Sequence, residues 1–413
     1  METVIKIPKP AEEIIETLNS HGFEAYVVGG CVRDSLLGKT PKDWDITTSA
    51  KPWEVKKVFG RTIDTGIAHG TVTIMRGKEG YEVTTYRIDG KYEDGRHPKD
   101  VTFTPNLEED LKRRDFTINA MAYHHQTGLI DIFQGIQDLQ NQRLRCVGNP
   151  KDRFTEDALR ILRAVRFSAQ LGFDIDPKTE DAIREIAPNL LHISKERIQM
   201  ELTKLLLSDH PDYIKMVFEY KIAPYLSPAF ASIFPDKISV GNDLPPTRHL
   251  RWAAFLKYQT PKETETLLKE LKMDNNTITK TKLLVHWWKR PIGTEETTIR
   301  KTMSQIPPDS YDDLLTLKES IQKHSSEQSD IPENKEQLKK IRNLTTLIRS
   351  RNDCICLKTL AVTGTDLIQL GIPPGKPIGT ALNLLLETVL EHPEWNKKEK
   401  LIEILPYIAD NLH

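Results

Sequence analysis

The spacing of apolar positions changes character about a third of the way along the chain. Up to about residue 145, short apolar runs alternate with short helical patterns. Residues 12–20 set Ile14, Ile15 and Leu18 on one helical face. The run from Ala25 to Val28 has strand character. Gly29 and Gly30 interrupt it, and Val32 to Leu37 starts a helix. Further strands are predicted at 44–47, 71–75, 82–86 and 129–133, where β-branched or aromatic residues cluster. Residues 88–109 carry Gly, Pro and many charges without periodicity, which predicts a long mobile loop. A helix is expected to open near Asp115 or Phe116.

From about residue 150 the period is helical. Helices are predicted at 155–170, 178–186, 194–207, 210–219, 250–257, 262–271, 276–288, 337–350 and 379–391. Glu156 and Asp157 lie in the expected first turn of 155–170, where the helix dipole favours carboxylates, and Gly172 ends it. Residues 323–336 form a polar connector. Trp287 and Trp288 lie in an apolar run with Leu283, Leu284 and Val285, so they are expected to pack between helices. The fold class is α+β: a head of mixed sheet and helices, then a predominantly helical remainder.

The length of 413 residues suggests two or three folding units. Fifty-eight basic residues face fifty-nine acidic ones, so the net charge of -1 points to neither a globally basic nucleic-acid binder nor an acidic tail. Local basic faces remain open. Apolar runs fall short of the roughly 18 residues of a membrane span, and residues 1–10 lack an apolar signal segment. Cys31, Cys146, Cys354 and Cys356 make no CxxC pair, which disfavours a disulfide framework or zinc site and points to the cytoplasm.

The strongest chemical signal is Asp43-Trp44-Asp45. On a strand, the i,i+2 spacing puts both carboxylates on one face. Two like charges side by side are unfavourable unless a cation joins them, and Mg²⁺ takes such oxygen ligands. The plainer reading is a strand end with two hydrated aspartates. Gly29 and Gly30 stand at a strand-to-helix junction where backbone N–H groups can face an anion, and Arg33 follows three residues on. Together these are parts suited to holding a nucleoside triphosphate.

The string AYVVGGCVRDSLLGKTPKDWDITTSA resembles the active-site signature of the nucleotidyltransferase superfamily, in the branch of class II tRNA nucleotidyltransferases and bacterial poly(A) polymerases. RRDFTINAMAY at 113–123, LIDIFQGIQDL at 129–139, RFTEDALRILRAVRFSAQLGF at 153–173 and SKERIQMEL at 194–202 are similar to further segments of that branch, in the same order. The resemblance implies that Asp43 and Asp45 carry catalytic Mg²⁺, with Asp115 as a third, assisting acid and Asp34 as the second choice. It implies that Gly30, Arg33 and Arg114 serve the triphosphate or sugar. Asp157 and Arg160, with Glu156, resemble the family's base-reading motif. A carboxylate accepts from the exocyclic amine of cytosine or adenine, and a guanidinium donates to ring nitrogens, so one pair would take CTP and ATP and oppose UTP and GTP. An ordinary i,i+3 ion pair is the plainer alternative. Arg163 and Arg166 continue that side, either touching RNA or holding Asp157. Glu196, Arg197 and Glu201 are expected to brace the reading helix, against the alternative of an Arg197–Glu201 i,i+4 pair.

The family contains enzymes that add the whole CCA end to tRNA, enzymes that add only part of it, and poly(A) polymerases. Residues 86–110, with Asp94-Gly95-Arg96, resemble the loop that lets CCA- and A-adding members change base specificity. The tail at 391–413 is not basic, unlike that of the poly(A) polymerases. The resemblance therefore implies CCA addition to tRNA from CTP and ATP, with A addition as the alternative. It implies a head at 1–145, an elongated all-α neck at 146–210, body at 211–335 and tail at 336–413. The helical half would hold the tRNA acceptor arm and elbow, with Gly371 and Gly375 as turn residues and Lys376 as a phosphate contact. No membrane partner is expected, and the chain would be a monomer or weak homodimer.

Overall fold

The computed structural model describes residues 4–90, 101–324 and 331–409. It divides into two compact units. The first runs to Ile238 and takes in Thr266–Met273; the second comprises Ser239–Glu265 and the chain from Asp274. The boundaries expected at 145 and 335 fall inside these units.

The first unit opens with α1 (Lys9–Ser20), β1 (Ala25–Val28) and α2 (Gly30–Leu36). Next come β2 (Ile46–Thr48), α3 (Pro52–Val58), β3 (Thr62–Gly66), β4 (Thr71–Arg76) and β5 (Glu79–Thr85). After them come β6 (Arg87–Asp89), β7 (Val101–Phe103), α4 (Leu107–Lys112), β8 (Ala122–His124) and β9 (Gly128–Ile130). Seven strands form one mixed sheet in the order β3-β4-β5-β2-β1-β8-β9. Only β2 and β5 pair in parallel, with Ile46 opposite Val83; the other neighbours are antiparallel. α1 buries Ala11, Ile14, Ile15 and Leu18, the face its period predicts.

Helices follow: α5 (Gly135–Gln140), then β10 (Arg143–Leu144), α6 (Pro150–Glu156), α7 (Leu159–Leu171), β11 (Asp174–Ile175), α8 (Pro177–Ile186) and α9 (Lys195–Leu206). α7 is buried along most of its length and ends at Gly172, whose φ of 71° supplies the left-handed cap.

Three expectations are corrected here. The segment 88–109 is not one loop: β6 pairs with β7, and α4 begins at Leu107 behind Asn106, whose side chain accepts from the Glu108 N–H. Residues 91–100, including Asp94-Gly95-Arg96, lie outside the described residues. The helix expected near Asp115 is instead a 3₁₀ turn at Thr117–Asn119. The helix expected at 155–170 is two helices, because Asp157 leaves helical geometry (φ −141°, ψ 102°). Its Oδ1 accepts the Leu159 N–H at 3.0 Å and so starts α7 anew.

Among its described residues the second unit holds helices and connecting turns, with no strand. Besides the expected helices it holds Glu296–Gln305, Pro308–His324, Gly364–Gln369 and Lys398–Ala409, which the pattern did not predict. The expected connector is partly helix, since one helix runs to His324 and another starts at Lys335 with an Asn334–Gln337 capping box. Trp288 is buried and meets Tyr258 edge-on, a packing role. Gly371 and Gly375 both have positive φ at turns, and Lys376 is exposed at the first position of the helix Lys376–Glu391.

Candidate active site

β1 leads straight into the turn that makes the site. At Gly29 the backbone takes φ 81° and ψ −127°, and a Cβ there would stand 3.2 Å from an Arg114 guanidinium nitrogen. The positive φ favours glycine, and a Cβ there would press on the Arg114 guanidinium. β2 begins at Ile46, not at Trp44, so the two aspartates precede the strand instead of lying within it. They are nonetheless held in place, because the Asp45 carbonyl accepts the Val28 N–H at 3.0 Å. Asp43 and Asp45 are both exposed.

A cleft of about 490 Å³ opens here, lined among others by Gly30, Arg33, Asp43, Asp45, Lys42 and Gln170. Although Asp45 is exposed as a residue, loss of hydration in the cleft raises its carboxyl pKa. Arg114 opposes this, and the charges of Glu82 and Asp43 add to it. Burial and the Asp45 charge push the neighbouring Cys31 thiol up to about 12, so it stays protonated. The parallel pairing of β2 and β5 brings Glu82 toward Asp45, a third carboxylate that sequence reasoning missed. Its signal was a charged residue between the apolar Tyr81 and Val83 of a strand.

The arginines are held by a network of buried acids. Arg33 donates to Asp34 at 2.8 Å and to the Asn119 side-chain carbonyl at 2.6 Å. Asp110, fully buried at the end of α4, accepts from Arg113 at 2.7 Å, from Arg114 at 3.3 Å and from Thr47 at 3.1 Å. Burial alone would raise its pKa, but the two arginines drive it below the usual carboxylate range. Arg113 thus serves as an ion-pair partner of Asp110. Arg114 keeps one buried, unpartnered nitrogen, Nε.

Asp115 is bound into a buried network of its own. Both its oxygens are taken, by Arg163 at 2.5 and 2.9 Å, by the Phe116 N–H at 2.8 Å and by Asn119 at 3.2 Å. Burial opposes its charge, but the guanidinium of Arg163 outweighs burial and brings its pKa down to about 2. Asp115 is thus engaged by Arg163, Asn119 and the Phe116 N–H, while Glu82 is the carboxylate whose charge acts on Asp45.

Asp157 and Arg160 do not pair with each other. Asp157 accepts from Arg197 at 2.7 Å, and Arg160 donates to Glu156 at 2.6 Å and to the backbone carbonyls of Arg153 and Arg113 at 3.1 Å. The plainer alternative, an i,i+3 side-chain ion pair on one helix, is therefore not what forms, since Asp157 stands before α7 and Arg160 in its first turn. Arg197 does not use Glu201, which instead binds Arg166 at 2.5 Å. Arg166 also donates to Gln170, and neither Arg163 nor Arg166 hydrogen-bonds Asp157. The thirteen residues of α7 span about 20 Å, from Asp157 at one end to Gln170 in the cleft wall at the other.

Three family models match the chain in succession: a poly(A) polymerase head domain at residues 25–145, a probable RNA- and SrmB-binding site of polymerase A at 172–234, and a tRNA nucleotidyltransferase domain 2 at 245–405. A CCA-adding enzyme of Lacticaseibacillus paracasei is 39% identical over 96% of this chain and 95% of its own length. One from Enterococcus faecalis is 38% identical over 95% and 94%. The crystal structure of the Bacillus stearothermophilus CCA-adding enzyme in complex with CTP superposes with a TM-score of 0.82 at 32% identity, covering 98% of both chains.

Proposed function

The chain belongs to the tRNA nucleotidyltransferase and poly(A) polymerase family, and from that membership we infer how its site works. Its reaction is the addition of CCA to the 3′ end of tRNA, with CTP and ATP as substrates. The observation that carries this reading is full-length relatedness to CCA-adding enzymes, above the part-activity and poly(A) alternatives.

Asp43 and Asp45 hold Mg²⁺ in this proposal. The fit rests on the donor set: two exposed carboxylates, with Glu82 near. Loss of hydration first, and then the charges of Glu82 and Asp43, raise the Asp45 pKa, and a divalent cation with oxygen ligands relieves that crowding of like charge. Bound there, the ion would polarise the phosphoryl oxygens and support the charge of the leaving pyrophosphate. Gly30, Arg33 and Arg114 receive the triphosphate. Arg33 is oriented by Asp34 and Asn119, and Arg114 by Asp110.

The base is read by Asp157 and Arg160, each prepared by a second ion pair. Arg197 fixes the Asp157 carboxylate, whose oxygens accept from the exocyclic amine of C or A and repel the carbonyl of U or G. Glu156 and two carbonyls fix the Arg160 fork. Arg163 and Arg166 lie further along the same helix, paired with Asp115 and Glu201. The helical second unit holds the acceptor arm and elbow of tRNA, largely through phosphate and 2′-hydroxyl contacts, and the four-part head, neck, body and tail division describes these roles. The reaction belongs in the cytoplasm, a compartment consistent with four free cysteines.

Three tRNA transcripts test the activity: one ending before CCA, one after the first C and one after CC, each given CTP and ATP. All three should be completed to CCA and then stop. Extension of the CC-ended transcript alone would mark an A-adding enzyme, and continued A addition a poly(A) polymerase.

A further inference from the structure

We propose that Asn119 is a positioning residue that ties the triphosphate arginine of α2 to the base-reading helix α7. The inference rests on the reading of Arg33 as a triphosphate-binding group and of α7 as the base-reading helix. Asn119 ends the 3₁₀ turn between Asp115 and β8 and is 7% exposed. Its side-chain oxygen accepts from Arg33 at 2.6 Å, and its NH₂ donates to Asp115 at 3.2 Å. The other oxygen of Asp115 takes both Arg163 donors. The chain of contacts is therefore Arg33, Asn119, Asp115, Arg163.

The orientation of the amide follows from its neighbours. A guanidinium only donates and an ionised carboxylate only accepts, so the oxygen must face Arg33 and the nitrogen Asp115. Asp at this position would set a second anion against Asp115, and an apolar residue would leave both partners with a missing contact. The backbone is committed too. The Asn119 carbonyl lies 3.7 Å from where a Gly29 Cβ would stand, so the same residue borders the turn that opens α2. A single ring completes the frame: Phe167 of α7 lies 5.2 Å from the Arg33 guanidinium carbon, 5.3 Å from that of Arg163 and 3.9 Å from that of Arg166. Arg33 is thus held against α7 from two sides, by a hydrogen-bonded relay and by an aromatic face.

The test is a kinetic cycle with Asn119→Ala, Arg33→Ala and the double variant, measured with CTP, ATP and a tRNA lacking CCA. Asn119→Ala should raise KM for both nucleotides roughly tenfold or more, the loss of one hydrogen bond to a charged group, while KM for tRNA stays unchanged. The double variant should have the nucleotide KM of Arg33→Ala alone, because Asn119 acts through Arg33. Asn119→Ser carries the same test should the Ala variant fail to fold: its hydroxyl can serve Asp115, but it is too short to reach Arg33 as well. Effects that add in the double variant would overturn the proposal, as would a lowered Tm with unchanged nucleotide KM. An Arg33→Ala enzyme with normal nucleotide KM would instead refute the site reading beneath it.

Discussion

Asp157→Asn changes one oxygen to NH₂ at nearly constant shape, which makes it a direct test of base reading. In the structure both carboxylate oxygens are acceptors: Oδ1 for the Leu159 N–H at 3.0 Å, and Oδ2 for Arg197 at 2.7 Å. An amide can keep only one of these, and its NH₂ then faces a donor. An unpaired or mismatched buried polar group costs about 1–3 kcal/mol. The same exchange applies at the base. The exocyclic amine of C or A would lose its acceptor whenever the NH₂ faces it, whereas the carbonyl of U or G would meet a donor instead of an anion. The kcat/KM for CTP and ATP should fall roughly ten- to a hundredfold, and discrimination against UTP and GTP should shrink by a similar factor. The assay is single-nucleotide incorporation with each of the four triphosphates on CCA-less tRNA. A variant slowed equally for all four, with its selectivity intact, would refute the reading role and leave Asp157 as a helix cap.

Asp43→Ala and Asp45→Ala should each abolish addition with Mg²⁺ while leaving tRNA affinity largely intact, measured by gel shift beside an activity assay. Gly29→Ala should destabilise the protein by about 1–3 kcal/mol in denaturant titration, because φ 81° is strained for an L-residue, and should raise nucleotide KM by displacing Arg114. Asp115 has a pKa lowered from 3.8 to about 2, so its charge contributes stability above its unfolded pKa that is lost as pH falls through the folded value. The stability advantage of the wild type over Asp115→Asn should be flat above about pH 5 and shrink by on the order of 2 kcal/mol toward about pH 2, followed by urea unfolding. An advantage that did not change with pH would break the ion-pair account of Asp115.

Much of the fold could be read from local pattern, because short-range rules act on it directly. The α1 face, β1, the glycine turn and the helices of the second half follow from apolar spacing and punctuation. The hairpin of β6 and β7 could not, since its strands are three residues each and separated by residues 90–100. The break at Asp157 was in principle legible: an aspartate two residues before a helical run is a cap signal, and the continuous period through 155–170 hid it.

At the site, the sequence by itself determined which chemical groups are present: the two aspartates, the arginines and the glycine turn, each within a short motif. Only the tertiary structure decided how the charges pair. Asp157 takes Arg197, forty residues away, instead of Arg160, three away, and Asp115 takes Arg163. Glu82 joins Asp45 through a parallel strand pairing, and Asn119 meets Arg33 across eighty-six residues. The physical reason is desolvation. Once α7 and the sheet are buried, an unpaired charge is expensive, so each ion takes whichever partner the packing places within hydrogen-bond reach. Sequence separation does not enter that choice.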